Sequence, residues 1–148
     1  MNNKIPPPIV TLISSLAIYF SRNIFPNHHG IILDVFSALS LICGIIIIRL
    51  ALLLFKNHQT TINPLNLTKT SSIVNTGVFQ YTRNPMYLGM VLILFSVALK
   101  FNIYGGLIVI LIFFSFITKF QIIPEEKAME KLFGQEFKNY KKTTRRWL

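Results

Sequence analysis

Two short groups of ionisable residues border apolar stretches of this chain, and together they have the chemistry to bind a charged ligand. The first group lies in VNTGVFQYTRNPMYLG, residues 74–89, where Arg83 directly precedes Asn84-Pro85. Asn is a favoured helix N-cap and Pro suits the first helical position, so we predict that a helix begins at Pro85 with the Asn84 side chain as its cap. The free N–H groups of a helix start and an adjacent arginine together favour an anion, such as a carboxylate or phosphate.

The second group is the acidic pair Glu125 and Glu126, which follows Pro124. Negative charge in the first turn of a helix is favourable by about 0.3–1 kcal/mol, and this accounts for the pair in structural terms. The functional interpretation is that one carboxylate receives a cationic or hydroxyl-bearing part of a ligand. With Arg83 on the same side of the protein, the pair would form separated positive and negative poles that suit a zwitterion.

The elements that must position these residues are those of an integral membrane protein. Of the 148 residues 52% are hydrophobic and only 14% are charged, against about 25% charged in a typical soluble domain. We predict an all-α single domain covering residues 1–148, built on four transmembrane helices. The predicted spans are about residues 5–25, 31–55, 85–99 and 103–123, with a polar loop over residues 56–84 and a tail over residues 124–148.

The tail predicts an amphipathic helix. Its apolar residues recur at steps of three or four and are Met129, Leu132, Phe133, Phe137 and Tyr140. Lysines surround this stripe, so the helix either lies along an anionic membrane surface or folds back onto the cytoplasmic face of the protein. Gly134 falls in the middle and weakens the helix by about 1 kcal/mol relative to alanine.

The distribution of cations predicts the topology. The chain carries a formal charge of +10; the polar loop holds three cations and the tail seven, whereas the two opposite loops hold only Arg22 and Lys100. The positive-inside rule places the loop, the tail and both termini in the cytoplasm. So basic a chain could suggest a nucleic-acid partner, but cations placed at the ends of membrane spans favour anionic lipid. We therefore expect membrane lipid, and no nucleic acid, as a partner.

Cysteine and histidine give no indication of a metal site. Cys43 is the only cysteine, which excludes an intrachain disulfide and a cysteine-based metal cluster. His28, His29 and His58 lack ligand spacing with carboxylates, and we expect no bound metal. His58 and Glu126 are the cytoplasmic candidates for a general base, should the chemistry need one.

Three segments resemble the membrane methyltransferases of the isoprenylcysteine carboxyl methyltransferase and phospholipid methyltransferase superfamily. They are TTINPLN at residues 60–66, NTGVFQYTRNPMYLG at 75–89 and PEEKAMEKLFGQEFKNYKK at 124–142. The resemblance covers about residues 60–146 and depends on an Arg-x-Pro-x-Tyr element followed downstream by a Glu-Glu element. Eukaryotic carboxyl methyltransferases of this superfamily generally carry His where this chain has Asn84, so the resemblance is to the bacterial branch, with a bacterial inner membrane as the expected location.

The resemblance implies S-adenosylmethionine as the cofactor, bound on the cytoplasmic side by these two elements. It implies catalytic roles for Arg83 and Glu126. The cofactor-binding residues that it implies are Gly77, Tyr81, Arg83, Asn84, Pro85, Tyr87, Gly89, Glu125, Glu126, Tyr140 and Arg146. The reaction would be in-line attack on the sulfonium methyl by a carboxylate, thiol or amine of a lipophilic or small substrate, for which the protein supplies alignment and exclusion of water.

Other interpretations use the same residues. Arg83 can anchor a membrane span to lipid headgroups, with Tyr81 and Tyr87 as interfacial aromatics. The whole chain can be a non-enzymatic membrane protein that binds anionic lipid through its basic tail, and such binding would weaken with salt. A lipid reductase with a nicotinamide cofactor is a further alternative, although the chain has no Gly-rich dinucleotide fingerprint. The oligomeric state is left open.

Overall fold

The computed structural model describes residues 5–26, 30–57 and 72–148. The five helices in these ranges are α1 (Pro7–Phe20), α2 (Ile31–Asn57), α3 (Pro85–Phe101), α4 (Ile103–Ile117) and α5 (Ile123–Thr143). Short 3-10 turns follow α1 and precede α3, at Ser21–Asn23 and Gly77–Gln80. The described ranges contain no strand, which confirms the all-α prediction. The three histidines and the segment 60–66 lie outside the described residues.

Among the described residues, two helical segments are long and apolar enough to cross a membrane, namely Ile31–Asn57 and the continuous path Ile103–Thr143. At 1.5 Å per residue α2 is about 40 Å long, which exceeds the hydrocarbon thickness of about 30 Å. Large apolar side chains such as Leu39, Ile42 and Ile46 are exposed along α2. An apolar exterior of this kind is favourable in lipid and unfavourable in water, so the chain is a membrane protein.

The central helix is α3, which contacts α1, α2 and α4. Its Gly89 crosses α2 at Gly44, where a Cβ added to either glycine would lie 2.7 Å from the carbonyl oxygen of the other. Small residues let two helix backbones approach this closely in a membrane. On another side α3 buries Leu94 against a core that includes Ile18 of α1 and Phe113 of α4. The position of α3 fixes where the residues that precede it can lie.

The helical path continues through Pro124, where the sequence predicts that a separate tail helix begins. A five-residue π-helical turn, Thr118–Ile122, joins α4 to α5. Proline lacks an N–H and its ring clashes with the carbonyl four residues earlier, and a wider turn relieves both problems. Glu125 and Glu126 do lie in the first turn of α5. However, that turn continues a preceding helix, so the free N–H groups expected to stabilise the pair are absent there.

The tail helix is kinked at Gly134, which has φ 50° and ψ −116° inside α5. Glycine adopts positive φ readily, so the backbone leaves the helical conformation at this residue. The sequence predicts only a weakened helix there. Beyond it, Phe137 and Tyr140 pack with Ile73, which lies before α3. The tail helix is thus packed against the residues that precede α3.

Candidate functional site

Arg83 and Glu126 meet in a buried ion pair. The Arg83 Nη2 donates to Glu126 Oε1 at 2.7 Å, and only 9% and 11% of the two side chains is exposed. Arg83 comes from the turn before α3 and Glu126 from the first turn of α5. The sequence predicts a positive and a negative pole held apart, whereas the structure brings these two charges into contact, because each of the two buried charges needs a partner.

Arg146 is the second cation on the same carboxylate. Its Nη2 donates to Glu126 Oε2 at 2.7 Å and its Nε to Oε1 at 3.1 Å. Burial favours a neutral Glu126, but the hydrogen bonds and charges of Arg146 and Arg83 outweigh it and hold the pKa of Glu126 below its ordinary value. We call Arg83, Glu126 and Arg146 the Arg–Glu cluster. Two guanidiniums and one carboxylate leave it with one net positive charge.

One donor of Arg83 remains available within the Arg–Glu cluster. Its Nη1 donates to the carbonyl oxygens of Thr144 at 2.6 Å and Lys141 at 3.3 Å. Its Nε is buried and has no acceptor among the described residues. A buried unsatisfied donor costs about 1–3 kcal/mol, and more when it is charged. An acceptor brought to this nitrogen would remove that cost, so the site is suited to an anionic oxygen.

The neighbouring Glu125 has a different partner. The Tyr87 hydroxyl, in the first turn of α3, donates to Glu125 Oε1 at 2.6 Å. Burial raises the pKa of Glu125 to about 7, against the lowering effect of the Tyr87 hydrogen bond, and the charge of Glu126 raises it further. Two adjacent carboxylates thus have opposite pKa shifts. Glu126 is held ionised by the arginines, whereas Glu125 can hold or release a proton near neutral pH.

The predicted helix start is present, with Asn84 at the N-cap position and Pro85 in the first turn of α3. The predicted capping by the Asn84 side chain is wrong, since that side chain makes no capping hydrogen bond. Its Nδ2 instead donates to the Arg146 carbonyl oxygen at 2.8 Å. A cap would use the Asn84 side-chain oxygen as an acceptor, whereas the observed bond uses the side-chain N–H as a donor. The acceptor lies far along the chain, so the local pattern could not predict this contact.

The other residues implied by the resemblance lie around the site in different environments. Tyr81 is 73% exposed, which separates it from the buried groups. Gly77 has φ 57°, and a Cβ there would lie 2.9 Å from Leu54 of α2. Tyr140 is buried, which raises the pKa of its phenol, and its hydroxyl donates to the Phe79 carbonyl oxygen at 2.6 Å. Gly77 and Tyr140 therefore hold the turn before α3 against α2 and the tail.

Of the last five residues of the chain, the sequence predicts a role only for Arg146. The Trp147 ring stacks on Phe114 of α4 at a centroid distance of 4.3 Å. Its Nε1 donates to Thr118 Oγ1 at 3.3 Å. A lone tryptophan at the end of a strongly basic tail was the available signal, because such a side chain is favoured only where it has an apolar surface to pack against. We call residues 144–148 the C-terminal strap.

The apolar helices, with a buried ionic site where α3 begins and α5 follows α4, define a membrane protein with a polar site. A sequence model of the phospholipid methyltransferase family matches residues 33–136, more than two thirds of the chain. The protein belongs to this family, which is part of the isoprenylcysteine carboxyl methyltransferase-like superfamily, so the predicted resemblance is confirmed. The matched region contains both the Arg-x-Pro-x-Tyr element and the Glu-Glu element.

The chain is also similar to an uncharacterized protein of Haemophilus influenzae (strain ATCC 51907 / DSM 11121 / KW20 / Rd). The two are 40% identical over 63 residues, which are 43% of this chain and all of that protein. No solved structure matches the chain.

Proposed function

We propose that this protein is an S-adenosylmethionine-dependent methyltransferase that acts on a lipophilic or small substrate at the cytoplasmic face of a membrane. The observation that carries the proposal is the meeting of two sequence elements about 40 residues apart. Arg83 pairs with Glu126, and Tyr87 pairs with Glu125, in a chain that belongs to a methyltransferase family. A simple headgroup anchor would leave Arg83 near the surface instead of burying it in an ion pair.

The residues present fit the cofactor. The Arg–Glu cluster has one net positive charge and a buried, unsatisfied Arg83 Nε, and both suit the methionine carboxylate. Glu125 is the acidic group that remains for the ammonium or a ribose hydroxyl, since Glu126 already accepts three hydrogen bonds. When bound, S-adenosylmethionine supplies a methyl group on a positively charged sulfur, which needs no further activation for transfer to a nucleophile.

The protein's own contribution is orientation and control of a proton. Glu126 holds the guanidiniums of Arg83 and Arg146 in fixed positions, and such preorganised charge does not have to be rearranged during the reaction. Glu125, with a pKa of about 7, is a better candidate base than the fully ionised Glu126, because a base is most effective near the working pH. It would serve an amine nucleophile, whereas a carboxylate nucleophile has no proton to lose.

We also propose that α1 to α4 are four spans with both termini in the cytoplasm. The Lys100 Nζ lies 2.8 Å from Asp34 Oδ1, so the last turn of α3 and the beginning of α2 lie at one end of the bundle. The Arg–Glu cluster lies at the other end, where α3 begins and α4 gives way to α5. With 14 residues α1 is about 21 Å long, and local thinning of the bilayer accommodates a helix of this length.

The proposal is tested by isothermal titration calorimetry of S-adenosylmethionine into the purified protein in detergent. We expect saturable binding that is lost in Arg83→Ala and Glu126→Ala. Arg22→Ala is the matched control, since its guanidinium lies over the Tyr19 ring at the opposite end of the bundle. Absence of binding to the wild-type protein would refute the proposal. Binding that is unchanged in both site variants would refute the assigned site.

A methyl-transfer assay then addresses the substrate. Membranes that contain the protein are incubated with S-adenosylmethionine labelled in its methyl group, and the lipid and protein fractions are separated and counted. We expect label in the lipid fraction with wild-type protein and none with Glu126→Ala. The alternative of a lipid-binding tail predicts no label in either, together with vesicle binding that weakens as salt is raised.

A further inference from the structure

The C-terminal strap lies alongside residues 82–84, which directly precede α3, and is hydrogen-bonded to them. Three successive carbonyl groups of the strap, those of residues 144, 145 and 146, accept hydrogen bonds from residues 82–84. The Arg83 Nη1 donates to the first at 2.6 Å and the Arg83 backbone N–H to the second at 3.0 Å. The Asn84 Nδ2 donates to the third at 2.8 Å. Arg83 is thus held by the strap at both its backbone and its guanidinium.

Trp147 attaches this strap to the transmembrane core. Its ring stacks on Phe114, its Nε1 reaches Thr118 Oγ1 at the beginning of the π turn, and it packs against the main buried cluster. The adjacent Leu148 is 70% exposed and makes no comparable contact among the described residues. Of the residues that follow Arg146, Trp147 is therefore the one that holds the strap to the helices.

We infer that Trp147 is a positioning residue that acts through Arg146, an inference that rests on the proposed function because it concerns the same cofactor site. The Arg146 side chain is 38% exposed, so without the Trp147 anchor it could leave Glu126 and take up many rotamers in water. Ordering such a side chain carries an entropy cost. The Trp147 anchor reduces that cost before binding, because Trp147 is the next residue and its contacts hold the Arg146 backbone in place.

The consequence is that Trp147 controls affinity for the cofactor without touching it. When the anchor is lost, Arg146 and the strap carbonyls leave Glu126 and Arg83 incompletely paired, and the site must be ordered again on each binding event. The apparent Kd for the cofactor then equals the Kd of the ordered site divided by the fraction of molecules in which the site is ordered. Once the cofactor is bound, the reacting groups are the same as in the wild-type protein.

The experiment compares Trp147→Ala, Trp147→Phe and Leu148→Ala by cofactor affinity, kcat and thermal unfolding. We expect Trp147→Ala to raise the Kd and KM for S-adenosylmethionine by about tenfold, the scale of one hydrogen bond to a charged group, with a much smaller change in kcat. Trp147→Phe should recover part of the affinity, since phenylalanine can stack on Phe114 but cannot donate to Thr118. Leu148→Ala should bind as the wild type does. Unchanged affinity in Trp147→Ala, or a fall in unfolding temperature with no change in affinity, overturns the inference.

Two further measurements test the inference if Trp147→Ala does not fold or if the wild-type protein does not bind S-adenosylmethionine. If Trp147→Ala does not fold, Thr118→Val removes only the acceptor of the Trp147 hydrogen bond, and it should raise the KM while Leu148→Ala does not. If the wild-type protein does not bind S-adenosylmethionine, the proposed function fails, and the strap is tested alone. Trp147 is the only tryptophan in the chain, so its fluorescence reports the strap directly. Arg146→Ala should shift its emission to longer wavelength and increase its quenching by acrylamide, and unchanged emission and quenching overturn the inference.

Discussion

Replacement of Glu126 by glutamine removes the one negative charge of the Arg–Glu cluster and keeps the size of the side chain. Removal of one partner of a buried ion pair costs about 3–5 kcal/mol, since the other charge remains buried. Two features reduce that cost here. Arg146 is 38% exposed and can regain water, and Arg83 keeps the carbonyl oxygens of Thr144 and Lys141 as acceptors. We expect Glu126→Gln to lower the free energy of unfolding by about 2–3 kcal/mol.

The assay is unfolding of the purified protein in detergent, followed by circular dichroism over a denaturant series. The matched control is Glu130→Gln on the same helix. Glu130 lies 3.4 Å from Lys141 Nζ and 3.9 Å from Lys138 Nζ, but these side chains are 35–54% exposed. Exposed pairs contribute about 0–1 kcal/mol, so the control should change little. If Glu126→Gln is no more destabilising than Glu130→Gln, the reasoning about the buried cluster is refuted.

The pH dependence provides a second check on the same variant. The folded-state pKa of Glu126 is lowered from its ordinary value of 4.5, so its stabilising contribution is present above that value and is lost as the pH falls through the folded-state pKa. The difference in stability between wild type and Glu126→Gln should therefore be largest above pH 4.5 and disappear in acid. A difference that is independent of pH would show that the charge is not its cause.

Three further changes follow from the same contacts. The pKa of Glu125 is raised from 4.5 to about 7, so the folded state favours its protonated form. The free energy of unfolding should therefore fall as the pH rises between these two values. Glu125→Gln should remove that fall in a pH series of unfolding measurements. Gly89→Ala places a Cβ 2.7 Å from the Gly44 carbonyl oxygen and should cost about 1–3 kcal/mol in unfolding free energy, because two helix backbones must separate. Asn84→Asp removes the donor to the Arg146 carbonyl oxygen and should weaken S-adenosylmethionine binding, measured by calorimetry, by about tenfold.

Each of these three changes has a control on the same chain. Gly30→Ala places its Cβ where nothing lies within 4 Å, and equal destabilisation by it and by Gly89→Ala would contradict the packing argument. Glu136 is exposed, and Glu136→Gln should leave the pH dependence as in the wild type. Asn139 is exposed and bonded only to Gln135 among the described contacts, so Asn139→Asp should bind the cofactor normally. A weak Asn139→Asp variant would show that general loss of stability, and not the Asn84 contact, controls binding.

The features that could be predicted from the sequence are those that depend on neighbours along the chain. The helix start at Pro85, the turn between α3 and α4 and the all-helical membrane class follow from cap preferences and apolar runs, and the structure has them all. The two elements of the site were recognisable because their order and separation are characteristic of a family. The resemblance implied only a cofactor-binding role for Gly89, and its close approach to Gly44 of α2 was not predicted.

The features that could not be predicted depend on how distant parts of the chain pack together. Asn84 is a good cap by type, yet its amide donates to a carbonyl 62 residues further on. Pro124 is a good helix start by type, yet α4 reaches it through a π turn without interruption. Gly134 kinks the tail helix, with φ 50° inside α5, where a propensity scale predicts only a weakened helix.

The sequence by itself determined that Val74 to Gly89 and the Glu-Glu pair lie next to apolar helices and carry the charges of a site, since composition and local pattern depend on residue type alone. Only the tertiary structure decided how those charges are divided. Glu126 lies between Arg83 and Arg146 and stays ionised, whereas Glu125, one residue away, faces Tyr87 and titrates near pH 7. The physical reason is that desolvation and pairing depend on distances of a few ångströms, and these distances arise only when α3, α5 and the C-terminal strap pack together.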